Sequence, residues 1–151
     1  MTALDQSTSA PRLRPLPHEA EVLLGSNALA HVVTMNDDGS PQVSVVWCGV
    51  QGDIVRFVTE ASTAKVRNLR RDPRIVLSVE DEERNLRGHQ HHLVLRGTAH
   101  IDDGPDPVLF DALCREYLGQ VDHSAPLRSS ATAVVVSVAI DEIGGNGPWR
   151  P

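Results

Sequence analysis

Aromatic side chains are scarce in this chain: two Phe, one Tyr and two Trp among 151 residues. A core of stacked rings is thereby excluded. The apolar 40% must come mostly from Val, Leu, Ile and Ala, which favours β-branched strands. Cysteine is equally sparse, with only Cys48 in an apolar strand and Cys114 in a helix. Their spacing matches no metal site, so they read as reduced core thiols, with a disulfide between them as the alternative. No apolar run approaches the ~18 residues of a membrane span, and the first residues (Ser7, Thr8, Ser9, Pro11, Pro15, Pro17) are polar and proline-bearing rather than signal-like. The expectation is a soluble cytoplasmic protein without a membrane partner. Positive charge is also in deficit, the formal net charge being -6, and with so few rings to stack on bases no nucleic acid is expected as a partner.

What is present organises into one domain, since a domain typically holds about 100–150 residues. Residues 1–14 read as a flexible arm, 15–143 as the folded unit and 144–151 as a tail. A short helix is expected from Pro15 to Gly25 and a strand from Leu29 to Met35. Asn36-Asp37-Asp38-Gly39-Ser40-Pro41 follows as a turn, because Asn, Asp and Gly tolerate positive φ. One strand is expected over Gln42–Val50, turning through Gln51-Gly52-Asp53 into Ile54–Thr59. Helical spacing resumes with Ser62 as N-cap and Val66 and Leu69 inward, until Pro73 stops it. Arg74–Glu80, His91–Ile101 and Thr132–Ile143 are further β-rich runs. Between the last two, Pro107–Gly119 suits a helix with Leu109, Ala112, Leu113 and Tyr117 toward the core. Six strands joined mostly by short turns point to a mainly β protein, a small antiparallel barrel with flanking helices.

Against the acidic background, Lys65, Arg67, Arg70, Arg71 and Arg74 crowd into one helix and its exit. Lys65 and Arg67 fall in its first turns, where the macrodipole disfavours cations by roughly 0.3–1 kcal/mol each. A phosphate or carboxylate would offset that cost by meeting both the free N–H groups and the basic side chains. His89, His91, His92 and His100 invite a metal, yet no carboxylate or cysteine at a telling spacing completes a ligand set, so they are taken as surface or ligand-lining groups.

Three pieces in order carry a family resemblance: Asp38-Gly39-Ser40-Pro41-Gln42-Val43-Ser44-Val45-Val46-Trp47, the segment from Val58 through Lys65-Val66-Arg67-Asn68-Leu69-Arg70-Arg71-Asp72-Pro73-Arg74, and Arg96-Gly97-Thr98-Ala99. Over roughly residues 18–143 the chain resembles the split-barrel flavin and deazaflavin oxidoreductases related to pyridoxamine phosphate oxidase, most of all the class preferring F420. The resemblance implies a six-stranded antiparallel split β-barrel, and a homodimer holding F420, or alternatively FMN, in a groove between subunits. It implies hydride transfer to a small organic acceptor, with a non-catalytic cofactor or tetrapyrrole carrier as the reading from another class. Lys65, Val58 and Thr59 would hold the phosphate, with Thr63, Ala64 and Asn68 beside them on the helix. Gln42, Ser44, Val46 and Trp47 would approach the tricyclic ring, and His91 and His92 would border it. Hydride chemistry belongs to the cofactor, so no catalytic acid or base is expected. The ending Gly144-Gly145-Asn146-Gly147-Pro148-Trp149 lacks the arginine-containing terminus of true pyridoxamine phosphate oxidases, and their own reaction is not expected.

Overall fold

The computed structural model describes residues 13–150 and contains one seven-stranded antiparallel sheet. Its strands are β1 (Ala30–Met35), β2 (Pro41–Val46), β3 (Gly49–Gln51), β4 (Ile54–Glu60), β5 (Arg74–Arg84), β6 (Gln90–Asp103) and β7 (Ala133–Asn146). The helices are α1 (His18–Leu24), α2 (Ala64–Arg71) and α3 (Pro107–Leu118), with a 3-10 turn at Pro126–Arg128. Across the sheet the order is β2-β1-β5-β6-β7-β4-β3. The two outer edges, β2 and β3, are therefore separated in the chain by only Trp47 and Cys48. Three Cα steps reach roughly 10 Å at most, so the sheet must curl until its edges nearly meet. It closes no further, because β2 pairs with β1 and β3 with β4. The fold is a mainly β, antiparallel split barrel.

The strand count is seven rather than the expected six. The run Gln42–Val50 does not form one strand: Val46 ends opposite Ala30, and Gly49 begins afresh opposite Arg56. An apolar run reads alike on both sides of such a break, so periodicity could not reveal it. β5 and β6 extend into a hairpin whose tip is tied by Asn85 Oδ1, which accepts from the N–H groups of Arg87 and His89 at 2.9 and 3.0 Å. β7 runs on to Asn146, beyond the expected end at Ile143. The first helix is shorter than expected, starting after Pro17. The proposed arm falls largely outside the described residues; from Arg14 the chain is tied down, its N–H donating to Ile140 O at 2.8 Å.

Alternation places Val32, Leu77 and Leu95 on the barrel interior, and all three are fully buried, as is Phe57 of β4. Ala133 to Val136 are buried in succession, without alternation, so both faces of β7 are covered there. α3 starts at Asp106, whose carboxylate accepts from Leu109 N at 3.0 Å, has Pro107 in its first turn, and ends at Gly119 with φ 78. Its buried residues are Phe110, Leu113 and Cys114, with Tyr117 half-buried; Ala112, expected inward, is exposed. Cys48 and Cys114 are both buried and free, and burial pushes the Cys48 thiol up to about 11. Trp149, in the segment expected to be a tail, is 3% exposed and packs into its own chain's core, edge-on to His91 with ring centroids 6.0 Å apart.

Candidate functional site

Where the barrel is split, a cavity of about 340 Å³ opens beside Trp47. Val45, Val46 and Trp47 enter it from the end of β2, Val58 and Thr59 from the end of β4, and Lys65 from α2, while Phe110, Leu113 and Leu127 close the far side. The strand end and helix start converge because β4 passes into α2 through only Ala61-Ser62-Thr63. Thr63 rather than Ser62 is the N-cap, and its hydroxyl donates backward to Glu60 O at 2.9 Å instead of accepting from the helix. The first-turn N–H groups of α2 are thus left without a side-chain cap, and no acidic residue lies in that turn.

Lys65 sits at this exposed positive end. Among the described residues it makes no hydrogen bond or ion pair, and partial burial pushes its ammonium pKa down from the ordinary value. A half-desolvated cation beside uncapped N–H groups is a site that favours an anion. Thr59, buried next to it, adds a hydroxyl. The four arginines behave differently. Arg70 pairs with Asp103 at 2.7 Å, Arg74 with Asp72 at 2.7 Å, and Arg71 with Asp37 at 3.6 Å, while Arg67 donates to Ser62 O at 2.6 Å. The basic run therefore resolves into one unpaired cation at the cavity and four engaged arginines outside it.

Of the twelve residues expected to hold a coenzyme, the cavity brings together Val46, Trp47, Val58, Thr59 and Lys65. Thr63 and Ala64 form the helix start beside it. Gln42 accepts from Thr34 Oγ1 at 3.1 Å and Asn68 donates through Nδ2 to Thr34 Oγ1 and Asn36 Oδ1, both at 3.0 Å, so these two are spent in a network beneath α2. Ser44, on the same strand face as Gln42 and Val46, keeps a buried Oγ with no partner. His91 and His92 are elsewhere: His91 packs on Trp149, and His92 lines a separate hollow with Arg96 and Arg150. Among the described residues no three His, Cys, Asp or Glu are placed to hold a metal. Phe110, Leu113 and Leu127 were not among the expected site residues: Leu113 was expected only to face the core, because α3's apolar face signals burial without saying against what, and Leu127 lies in the 3-10 turn beyond it.

Asn68→Ala is expected to destabilise the fold by about 1–3 kcal/mol, because it removes the donor shared by the buried Thr34 hydroxyl and the Asn36 side-chain oxygen. A lower urea midpoint at unchanged m would register it; an unaltered midpoint would show the network to be idle.

A larger cavity, about 480 Å³, is a different one, walled by Glu80, Asp81 and Glu82. Three carboxylates with no Lys or Arg among its lining residues repel an anion, so volume does not select the site.

Split barrel, apolar cavity and lone ammonium suit an anionic ligand with a flat ring, and comparison with known proteins puts the chain among the flavin and deazaflavin oxidoreductase-like split barrels. The family profile described as pyridoxamine 5'-phosphate oxidase matches residues 16–145, and the chain belongs to that family. Among solved structures, an F420 reductase is 27% identical, with 85% of this chain and 98% of that one covered and a TM-score of 0.71. A conserved hypothetical protein from Mycobacterium tuberculosis is 21% identical over 91% and 89% of the two chains, with a TM-score of 0.70. A FAD-binding protein from Mesorhizobium loti is 18% identical over 88% and 96%, with a TM-score of 0.62. The last two show the likeness of fold. No curated protein matches the chain. Among the described residues, no helix is long and apolar enough to cross a membrane.

Proposed function

We propose that this protein is an F420-dependent oxidoreductase of the cytoplasm, passing a hydride between the deazaflavin and a small organic acceptor. The observation that carries the proposal is the unpaired, half-buried Lys65 at the uncapped start of α2, opening into a cavity otherwise walled by apolar side chains. Those residues fit the group: an ammonium, the Thr59 hydroxyl and free N–H groups for a phosphate, and Trp47, Val46 and Val58 for a flat ring. The orphaned Ser44 Oγ leaves one further polar atom unsatisfied on the strand that would face it. When bound, the coenzyme supplies the hydride chemistry. The chain's own part is to hold the phosphate at Lys65, to keep the ring against Trp47, and to exclude water with Phe110 and Leu113.

A cavity of about 340 Å³ is at the low end of the roughly 300–1,000 Å³ typical of small-molecule sites, so a second copy would complete it. The matching apolar surface is the row Val43-Val33-Val76 across β2, β1 and β5, in which Val43 is 58% exposed. The functional unit is then a homodimer.

FMN is the second reading, since it too would bring a phosphate to Lys65 and a flat ring to the apolar cavity. Purification separates the two. A yellow preparation that retains FMN points to the flavin, whereas binding of added reduced F420, followed by its two-electron oxidation as a quinone, an enone or biliverdin is reduced, supports the proposal. Binding of F420 without turnover on any acceptor would replace the enzyme with a carrier.

A further inference from the structure

Tyr117 is the chain's single tyrosine, in the last turn of α3. Its ring lies on Trp47 with centroids 5.2 Å apart and planes 9° from parallel. Its hydroxyl reaches the backbone at the split itself, donating to Ala28 O at 2.8 Å and accepting from Cys48 N at 3.1 Å. Ala28 leads into β1, on one side of the gap, and Cys48 leads into β3, on the other. One side chain thus spans the opening and clamps the two-residue crossing from which Trp47 projects. Stacking alone would be met equally by phenylalanine; the hydroxyl is what the crossing uses. Burial raises the phenol's pKa above its ordinary value, so it stays protonated and keeps donating at neutral pH.

We infer that Tyr117 is a positioning residue: it fixes the plane of Trp47 as a wall of the coenzyme cavity by pinning the barrel's split. The inference rests on the proposed coenzyme site and assigns a determinant of how the ring, as opposed to the phosphate, is held. Trp47 and Lys65 line one cavity, but only Trp47 touches Tyr117, so the two contributions are separable.

The experiment compares the wild-type chain with Tyr117→Phe, which keeps the stack and loses the clamp, and Tyr117→Leu, which loses both. Affinity is titrated for F420 and FMN, and for inorganic phosphate as their competitor, with the near-ultraviolet circular dichroism of Trp47 and the visible dichroism of the bound ring recorded alongside. Tyr117→Leu is expected to weaken ring-bearing ligands by about tenfold and Tyr117→Phe by less, with the Trp47 and ring bands altered and the inhibition constant of phosphate unchanged. A parallel loss of ring and phosphate affinity in Tyr117→Phe would reduce Tyr117 to a packing residue and overturn the inference. So would unchanged affinity and dichroism in both variants. A wild-type chain that binds neither F420 nor FMN overturns the proposed function and this inference together.

Discussion

Lys65→Ala is expected to weaken coenzyme binding by about 1.5–3 kcal/mol, roughly 10- to 150-fold in dissociation constant. That is the scale of a hydrogen bond to a charged group in a partly sheltered site. The sign of its effect on the unliganded protein is opposite. Lys65 has no partner among the described residues, is half-desolvated, and sits at the positive end of α2. Removing it relieves a repulsion of about 0.3–1 kcal/mol, so the empty variant should melt no lower than the wild type. A residue that stabilises the fold cannot show both results, which is why the pair of measurements is diagnostic. Arg70→Ala is the control: its guanidinium pairs with Asp103 outside the cavity, both groups being largely exposed, and such pairs contribute little. Titration of F420 or FMN fluorescence against each variant decides the matter. An unchanged dissociation constant for Lys65→Ala would remove Lys65 from the site.

The contrast between Lys65 and its four arginine neighbours also marks what a linear sequence can disclose. Charge density along α2 is plain in the sequence, but whether a guanidinium is free depends on partners 33 or 36 positions away, Asp103 and the Met35 carbonyl. Asn68 makes the same point within the motif itself. The spacing that resembles a coenzyme-binding family places Asn68 three residues after Lys65, yet the intervening turn directs it beneath the helix to Thr34 and Asn36. The barrel was legible because alternation such as Ile75/Leu77/Val79 and turns such as Asp38-Gly39 are local signals. The split was not, because Val43 to Val50 is apolar throughout on one side and only pairing partners, supplied by β1 and β4, show that it serves two edges. His91 and His92 lie apart from the cavity and from each other, His91 against Trp149 and His92 beside Arg96 and Arg150, because neighbours on a strand face opposite ways.

Gly97→Ala is expected to cost about 3 kcal/mol of stability, although it adds a single methyl group. β6 and β7 are each 14 residues long and pair along nearly their whole length. Their register breaks at one place: Arg96 lies opposite Glu142 but Gly97 lies opposite Ile140, so Asp141 is an extra residue on β7. Such a bulge bends the strands and brings the backbones unusually close. A Cβ on Gly97 would stand 2.3 Å from Ala139 O and 2.9 Å from Val138 Cγ1. The first of these is backbone in the middle of a ladder, and it cannot rotate away as a side chain would. Gly97 is not in the left-handed region, so the cost is a collision and not a conformational preference. Relief requires either parting β6 from β7 or straightening the bulge, and β7 also carries β4, whose Thr59 is registered opposite Val134. Gly49→Ala provides the comparison, since its Cβ would meet only Leu113 Cδ2 at 3.4 Å, a movable side chain, and should cost under about 1 kcal/mol. For a chain of this size about 3 kcal/mol corresponds to a melting point lower by roughly 6–12 °C. Equal melting points for the two alanine variants would mean that the strands do not approach as closely at the bulge as their register requires.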